Sequence, residues 1–254
     1  MRSTLAVALG AVLLLATLVS FAPASLLDAR IAEMSGGRMR LSNASGTIWN
    51  GSGELWLLPA GPREPLRWRL DALPLLRGEV RVAIDHGGEG APAATLAYGR
   101  DHLELRDLDL ALPIESLLQV AGPARIAGVG GTLRVHVDHL ARTADTLDAQ
   151  LTVQWPDASV PGPRPDTRIA LGTVSVALNG RGAELGGPVQ NSGGDVEITG
   201  QLAVAATGAA KLDATLRPRT TTRERADMIA AALSSIGAAD GEGGYRVHWS
   251  GAWR

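Results

Sequence analysis

The sequence contains no cysteine, which excludes a disulfide framework, a thiolate nucleophile and a cysteine metal site. Beside six Trp it has only one Phe and two Tyr, so core packing must rest on Leu, Val, Ala and Ile. It also lacks any run of like charge. Its 24 cations and 26 anions are interspersed and the net charge is −2, which excludes the extended basic field a nucleic-acid partner requires. Neither a G-x-S-x-G elbow, a G-x-x-x-x-G-K phosphate loop nor an H-E-x-x-H pair occurs.

The remaining candidates for site chemistry are few. His136 and His139 are spaced by three, and on a regular strand an odd separation points two side chains to opposite faces, where they cannot share a metal. Asp107 and Asp109 share a face of a strand pattern, but it is the polar, solvated face. No catalytic, cofactor or metal residues are therefore expected.

What is present is glycine, proline and one long apolar run. The 254 residues include 31 Gly and 14 Pro, above the usual share of about 12% for the two together. Leu5 to Ala22 carries no charge and has only Thr17 and Ser20 as polar side chains. As a helix of about 27 Å it matches the roughly 30 Å hydrocarbon layer. Ala22-Pro23-Ala24 has the small-x-small form of a signal cleavage site, yet the apolar run exceeds a signal core and Pro23 sits inside the would-be site. The run reads as an uncleaved anchor. Arg2 on its short side makes residues 1–4 a cytoplasmic tail and places residues 23–254 beyond the membrane.

Ser25 to Met34 reads as a short helix: Ser25 and Asp28 suggest a capping start, Leu27, Ile31 and Met34 keep helical spacing, and Gly36-Gly37 stops it. From Arg38 onward the period becomes two. Strands are predicted at Ile48–Leu58, Leu66–Leu70, Gly78–Asp85, His102–Leu110, Gly131–Val137, Leu147–Trp155, Ile169–Leu178, Val196–Ala205, Lys211–Arg217 and Tyr245–Trp253. Such alternation gives each strand one wet and one buried face, as in antiparallel sheet. Two short helices interrupt, at Pro113–Val120 and from Thr221, where Thr221-x-x-Glu224 reads as a capping box and Gly237 as a stop. Residues 156–166, rich in proline, read as a linker and candidate hinge. The fold class is thus all-β, a mainly antiparallel, curved or folded sheet, with one N-terminal transmembrane helix and one or two short helices.

Gly87-Gly88, Gly128, Gly130-Gly131, Gly186-Gly187, Gly193-Gly194, Gly241 and Gly243-Gly244 fall between strand patterns. None opens a helix in a βα unit, so they read as turn glycines and not as phosphate cradles. Trp49 and Trp56 differ by an odd number and would face opposite sides of an unbroken strand, unless Gly51 and Gly53 allow a bulge or hairpin.

These residues carry a resemblance. The single N-terminal span, Pro23-Ala-Ser-Leu-Leu27, Ala44-Ser-Gly-Thr-Ile-Trp-Asn-Gly-Ser52, Leu66-Arg-Trp-Arg-Leu70, Leu75-Leu-Arg-Gly78 and the closing Gly244-Tyr-Arg-Val-His-Trp-Ser-Gly251 together resemble the type II secretion system protein N family of Gram-negative bacteria. The resemblance implies a single-pass inner-membrane subunit with a periplasmic β-rich domain. It also implies an accessory, non-enzymatic role in export of folded proteins across the outer membrane, no cofactor, and other subunits of that system as partners. Its motif residues, Gly46, Thr47, Trp49, Gly51 and Trp68, are structural or interaction candidates. By fold analogy the sheet also resembles periplasmic lipid-handling domains of the AsmA type. A lipid or amphiphile carrier, with the apolar sheet face as its groove, is the second expectation.

Overall fold

A computed structural model describes residues 19–57, 63–85, 94–114, 128–164, 167–219 and 222–252. The chain forms two compact units, Met1–Leu96 and Ala97–Arg254. The first contains α1 (Ser25–Met34), β1 (Met39–Gly46), β2 (Asn50–Leu57), β3 (Arg63–Asp71), α2 (Ala72–Leu75) and β4 (Val80–Asp85), and β5 (Ala94–Tyr98) straddles the boundary. Strands β1 to β4 form an antiparallel meander in chain order. In β3 the alternation is complete. Arg63, Pro65, Arg67, Arg69 and Asp71 face solvent, while Glu64, Leu66, Trp68 and Leu70 turn inward. α1 lays Leu27 and Ile31 on the inner face, over a core of Ala24, Leu41 and Trp68.

The second unit contains β6 (Leu103–Pro113), β7 (Thr132–Arg142), β8 (Leu147–Pro161), β9 (Arg168–Gly182), β10 (Glu184–Ser192), β11 (Val196–Ala205), β12 (Ala209–Pro218), α3 (Arg223–Leu233), β13 (Ala238–Ala239) and β14 (Tyr245–Ala252). Strands β6 to β12 pair antiparallel with their chain neighbours, β14 adds to β12, and β13 pairs β14. α3 buries Ile229 and Leu233 against Ala158, Ile169, Leu171 and Val196. Each unit is therefore antiparallel β with helices on its apolar faces, as the alternation predicts.

Three expectations are corrected, and one strand was not anticipated. Residues 156–161 are not linker but the end of β8, paired with β9 from Ala158↔Gly172 to Pro161↔Arg168. The strand tolerates its prolines because the register shifts between Trp155 and Ala158, and Asp157 adopts φ +53°. A bulge there relieves the missing N–H of Pro156. Gly186-Gly187 is not a turn but the middle of β10. A Cβ at Gly187 would lie 1.7 Å from the carbonyl oxygen of Ala177, so glycine is required by close backbone approach within the ladder. β1 was hidden by its weak apolar pattern, Met-Arg-Leu-Ser-Asn-Ala-Ser-Gly. Finally, α1 begins after Ala24 without a side-chain cap, Asp28 being engaged elsewhere, and α3 begins after Thr222, also without a side-chain cap, while Thr221 of the expected capping box lies outside the described residues.

Beyond Ile114, the predicted helix at Pro113–Val120 lies outside the described residues, and Pro113 itself ends β6. Of the apolar run Leu5–Ala22, residues up to 18 lie outside them too. Among the described residues no helix is long and apolar enough to cross a membrane.

Candidate functional site

The five motif residues meet at one end of the first unit. Trp49 is not part of a strand: residues 47–49 form the turn between β1 and β2, closed by the Ser45↔Ser52 and Gly46↔Gly51 pairs. The turn is built by Thr47. Its backbone N–H donates to the carbonyl of Asn50 (2.9 Å), and its Oγ1 accepts the N–H groups of Trp49 (3.3 Å) and Asn50 (3.2 Å). A threonine hydroxyl thereby replaces ladder bonds that a wide turn would leave open.

The two glycines are fixed by sterics. Gly46 has φ +87°, and a Cβ there would lie 2.6 Å from the Asn50 carbonyl oxygen. Gly51 pairs with Trp68 of β3, whose ring lies across it. A Cβ at Gly51 would meet that ring at 2.4 Å and the Ser45 carbonyl oxygen at 2.6 Å. The ring is thus seated on a bare backbone, an aromatic side chain covering a glycine in the neighbouring strand. Trp68 is buried and donates its indole N–H to the Thr47 carbonyl (3.2 Å).

The same turn receives the chain that emerges from the apolar run. Ala24 N–H donates to the Gly46 carbonyl (3.1 Å) and Ile48 N–H to the Ala22 carbonyl (3.0 Å), bracketing a Pro23↔Thr47 bridge. Trp49 donates its indole N–H to the carbonyl of Val19 (2.8 Å). The Trp49 carbonyl in turn accepts the N–H of Leu70 (2.7 Å), which ties the turn to β3. One residue set therefore clamps residues 19–24 to the end of the sheet.

A second clamp escaped the sequence reading. Asp28 does not cap α1. It binds Arg40 in a two-pronged pair (Nε–Oδ1 2.9 Å, Nη2–Oδ2 2.7 Å) and accepts the Leu41 N–H (2.9 Å). The Arg40 hydrogen bonds, then that of Leu41, hold its carboxyl below the usual carboxylate range. An acid on the strand-facing side of a helix, one loop before an arginine, was the available signal.

The histidines also differ from expectation. The β7–β8 register shifts between Val137 and His139, so His136 pairs Thr152 and His139 pairs Gln150. Those partners lie two residues apart on β8 and so share a face, and the shift therefore brings both histidines to one face. Asp107 breaks the regular face it was expected to share with Asp109. It sits at φ +55° between the Arg106↔His139 and Leu108↔Val137 pairs. The histidines are nonetheless engaged separately. His136 Nδ1 lies 2.9 Å from Asp109 and Nε2 3.3 Å from Asp138, while His139 Nε2 lies 3.1 Å from Asp148. Asp148 is shared with Arg181. Among the described residues no group of three or more His, Asp and Glu is placed to hold a metal ion.

The described contacts of the motif region are indole and backbone hydrogen bonds that join residues 19–24, the β1–β2 turn and β3. A family model described as type II secretion system (T2SS), protein N, matches residues 37–248. Among curated proteins and among solved structures the chain has no match.

Proposed function

We propose, since the chain belongs to the type II secretion system protein N family, that it is an accessory, non-catalytic subunit of the apparatus that exports folded proteins across the outer membrane. In this reading Leu5–Ala22 anchors it in the inner membrane, residues 23–254 lie in the periplasm, and its partners are other inner-membrane and periplasmic subunits. It takes no cofactor.

The observation that carries the reading is the match over residues 37–248, which covers the strands of the first unit from β1 onward and most of the second unit. The clamp on residues 19–24 supports the anchoring part, because a chain leaving a membrane span needs a fixed exit to orient the domain behind it. A lipid-carrier reading finds less support, since α3 covers the apolar face at β8, β9 and β11, where Val196 and Ile229 are fully buried.

Topology and partnership are tested together in the native host. Protease added to spheroplasts should digest residues 23–254, and protease added to intact cells should not. A photo-reactive side chain at an exposed position of either unit should capture another subunit of the secretion system. A protease-resistant domain with no captured subunit would overturn the proposal.

A further inference from the structure

Seven large apolar side chains of the first unit are exposed among its described residues, and their distribution is uneven. Met34, at the C-terminal end of α1, stands alone at the end where β1 begins. The other six, Val19, Phe21, Leu26, Leu73, Leu76 and Val80, lie at the opposite end. The registers establish this. Gly51↔Trp68 and Asn50↔Arg69 bring the β1–β2 turn beside the last residues of β3, and Asp71↔Arg81 brings Val80 to the same end. The Ala24–Gly46 hydrogen bond brings the start of α1, with Leu26, to the same turn.

Leu73 and Leu76 are the telling pair. They are 78% and 85% exposed, yet they are not on a loose loop. The turn of α2 is closed by successive bonds from Leu76, Arg77 and Gly78 N–H to the carbonyls of Leu73, Pro74 and Leu75 (3.2, 2.9 and 3.0 Å), and Gly78 completes it at φ +76°. A β3–β4 connection needs only small polar turn residues. This one instead holds two leucines out in solvent, with Arg77 immediately after them.

Exposed apolar groups gathered at one end of an ordered unit mark an interaction site, and the chain itself indicates what covers this one. The apolar run Leu5–Ala22 ends within the patch, at Val19 and Phe21. We infer that this end of the first unit rests on the bilayer surface, with Leu73 and Leu76 inserted among the lipid acyl chains beside the anchor and Arg77 reaching the phosphate headgroups. The inference rests on the anchor reading given above. It adds a second membrane contact, which would fix the tilt and rotation of the unit that a single span leaves free.

The absence of cysteine allows the test in the full chain. Single variants Leu13→Cys, Leu73→Cys, Leu76→Cys and Met34→Cys are labelled with an environment-sensitive fluorophore and reconstituted in phosphatidylcholine–phosphatidylglycerol vesicles. Quenching is then read with nitroxide on the lipid acyl chains and with aqueous iodide. The expected result is loss of fluorescence to the lipid nitroxide at 13, 73 and 76, and loss to iodide at 34. Quenching at 13 by lipid while 73 and 76 respond to iodide like 34 would overturn the inference and leave the anchor standing. Shielding of 73 and 76 from both quenchers would indicate a protein contact and overturn it also. No lipid quenching at 13 would defeat the anchor reading, and the inference with it.

Discussion

The indole N–H of Trp49 donates to the carbonyl of Val19 across 2.8 Å, linking the turn of a β-hairpin to the last residues of an apolar run thirty positions earlier. Replacing Trp49 by Phe keeps an aromatic ring and removes the donor. A net loss of about 1 kcal/mol is expected, together with faster proteolysis between residues 19 and 24. Unchanged cleavage there would mean the bond does not hold the exit.

Gly51 and Trp68 should behave as one unit. Gly51→Ala places a methyl against the indole and the Ser45 carbonyl, with an expected cost of about 1–3 kcal/mol. Trp68→Ala removes a buried ring, at about 3–5 kcal/mol. In a double-mutant cycle read by thermal unfolding, the alanine at 51 should cost less once the ring is gone, leaving a coupling of about 0.5 kcal/mol or more. Additive losses would contradict the seat described for Trp68.

The Asp28–Arg40 pair gives an acid-limb prediction. Asp28 is held below its ordinary value, chiefly by Arg40. Its contribution is therefore present above the unfolded carboxylate value of about 3.9 and is lost as pH falls through the lower folded value. Wild-type chain should be more stable than Asp28→Asn at neutral pH, and the difference should shrink as pH drops below about 4. Parallel pH–stability curves would refute the assignment.

His136 runs the other way. Asp109, and secondarily Asp138, hold its pKa above the ordinary imidazole value. The stabilisation is complete below about 6.5 and disappears as pH rises through the higher folded value. Asp109→Asn should lower the His136 titration midpoint followed by NMR of the imidazole Cε1–H, while leaving the fold intact because the pair is exposed. An unmoved midpoint would count against the contact.

Ile229 has no exposed surface and lies between α3 and the strands beneath it. Ile229→Ala should cost about 2–5 kcal/mol and Ile229→Val about 0.5–1.5 kcal/mol, measured by denaturant unfolding. A loss under about 0.5 kcal/mol for the alanine variant would mean α3 is not part of the core.

Most strands were readable because their period of two is simple. Val196–Ala205 matches to the residue. The misses have identifiable physics. β10 carries Gly-Gly-Pro in its middle, and local chemistry there suggests a turn, although the glycine is demanded by the Ala177 carbonyl of a neighbouring strand. The bulges were legible but went unread. In β6 the apolar series runs Leu103, Leu105, Leu108, Leu110, and in β7 Val135, Val137, Leu140, with one step of three in each strand. That step carries His139 to the face of His136. At the candidate site, Gly51 and Gly53 allowed a bulge or hairpin, but Ile48 and Trp49 were expected at the start of a strand and lie instead in the β1–β2 turn. The bond from Trp49 to Val19, the seat of Trp68 on Gly51 and the exposure of Leu73 and Leu76 were not readable, because each depends on which chain end the meander brings back to the turn.

The role proposed for the chain is in export of folded proteins. Its most direct test is the distribution of type II substrates between medium and periplasm in the native host, with the gene deleted and then restored. The expected result is substrate retained in the periplasm on deletion, with export recovered by the wild-type copy. Equal export with and without the gene would contradict the account.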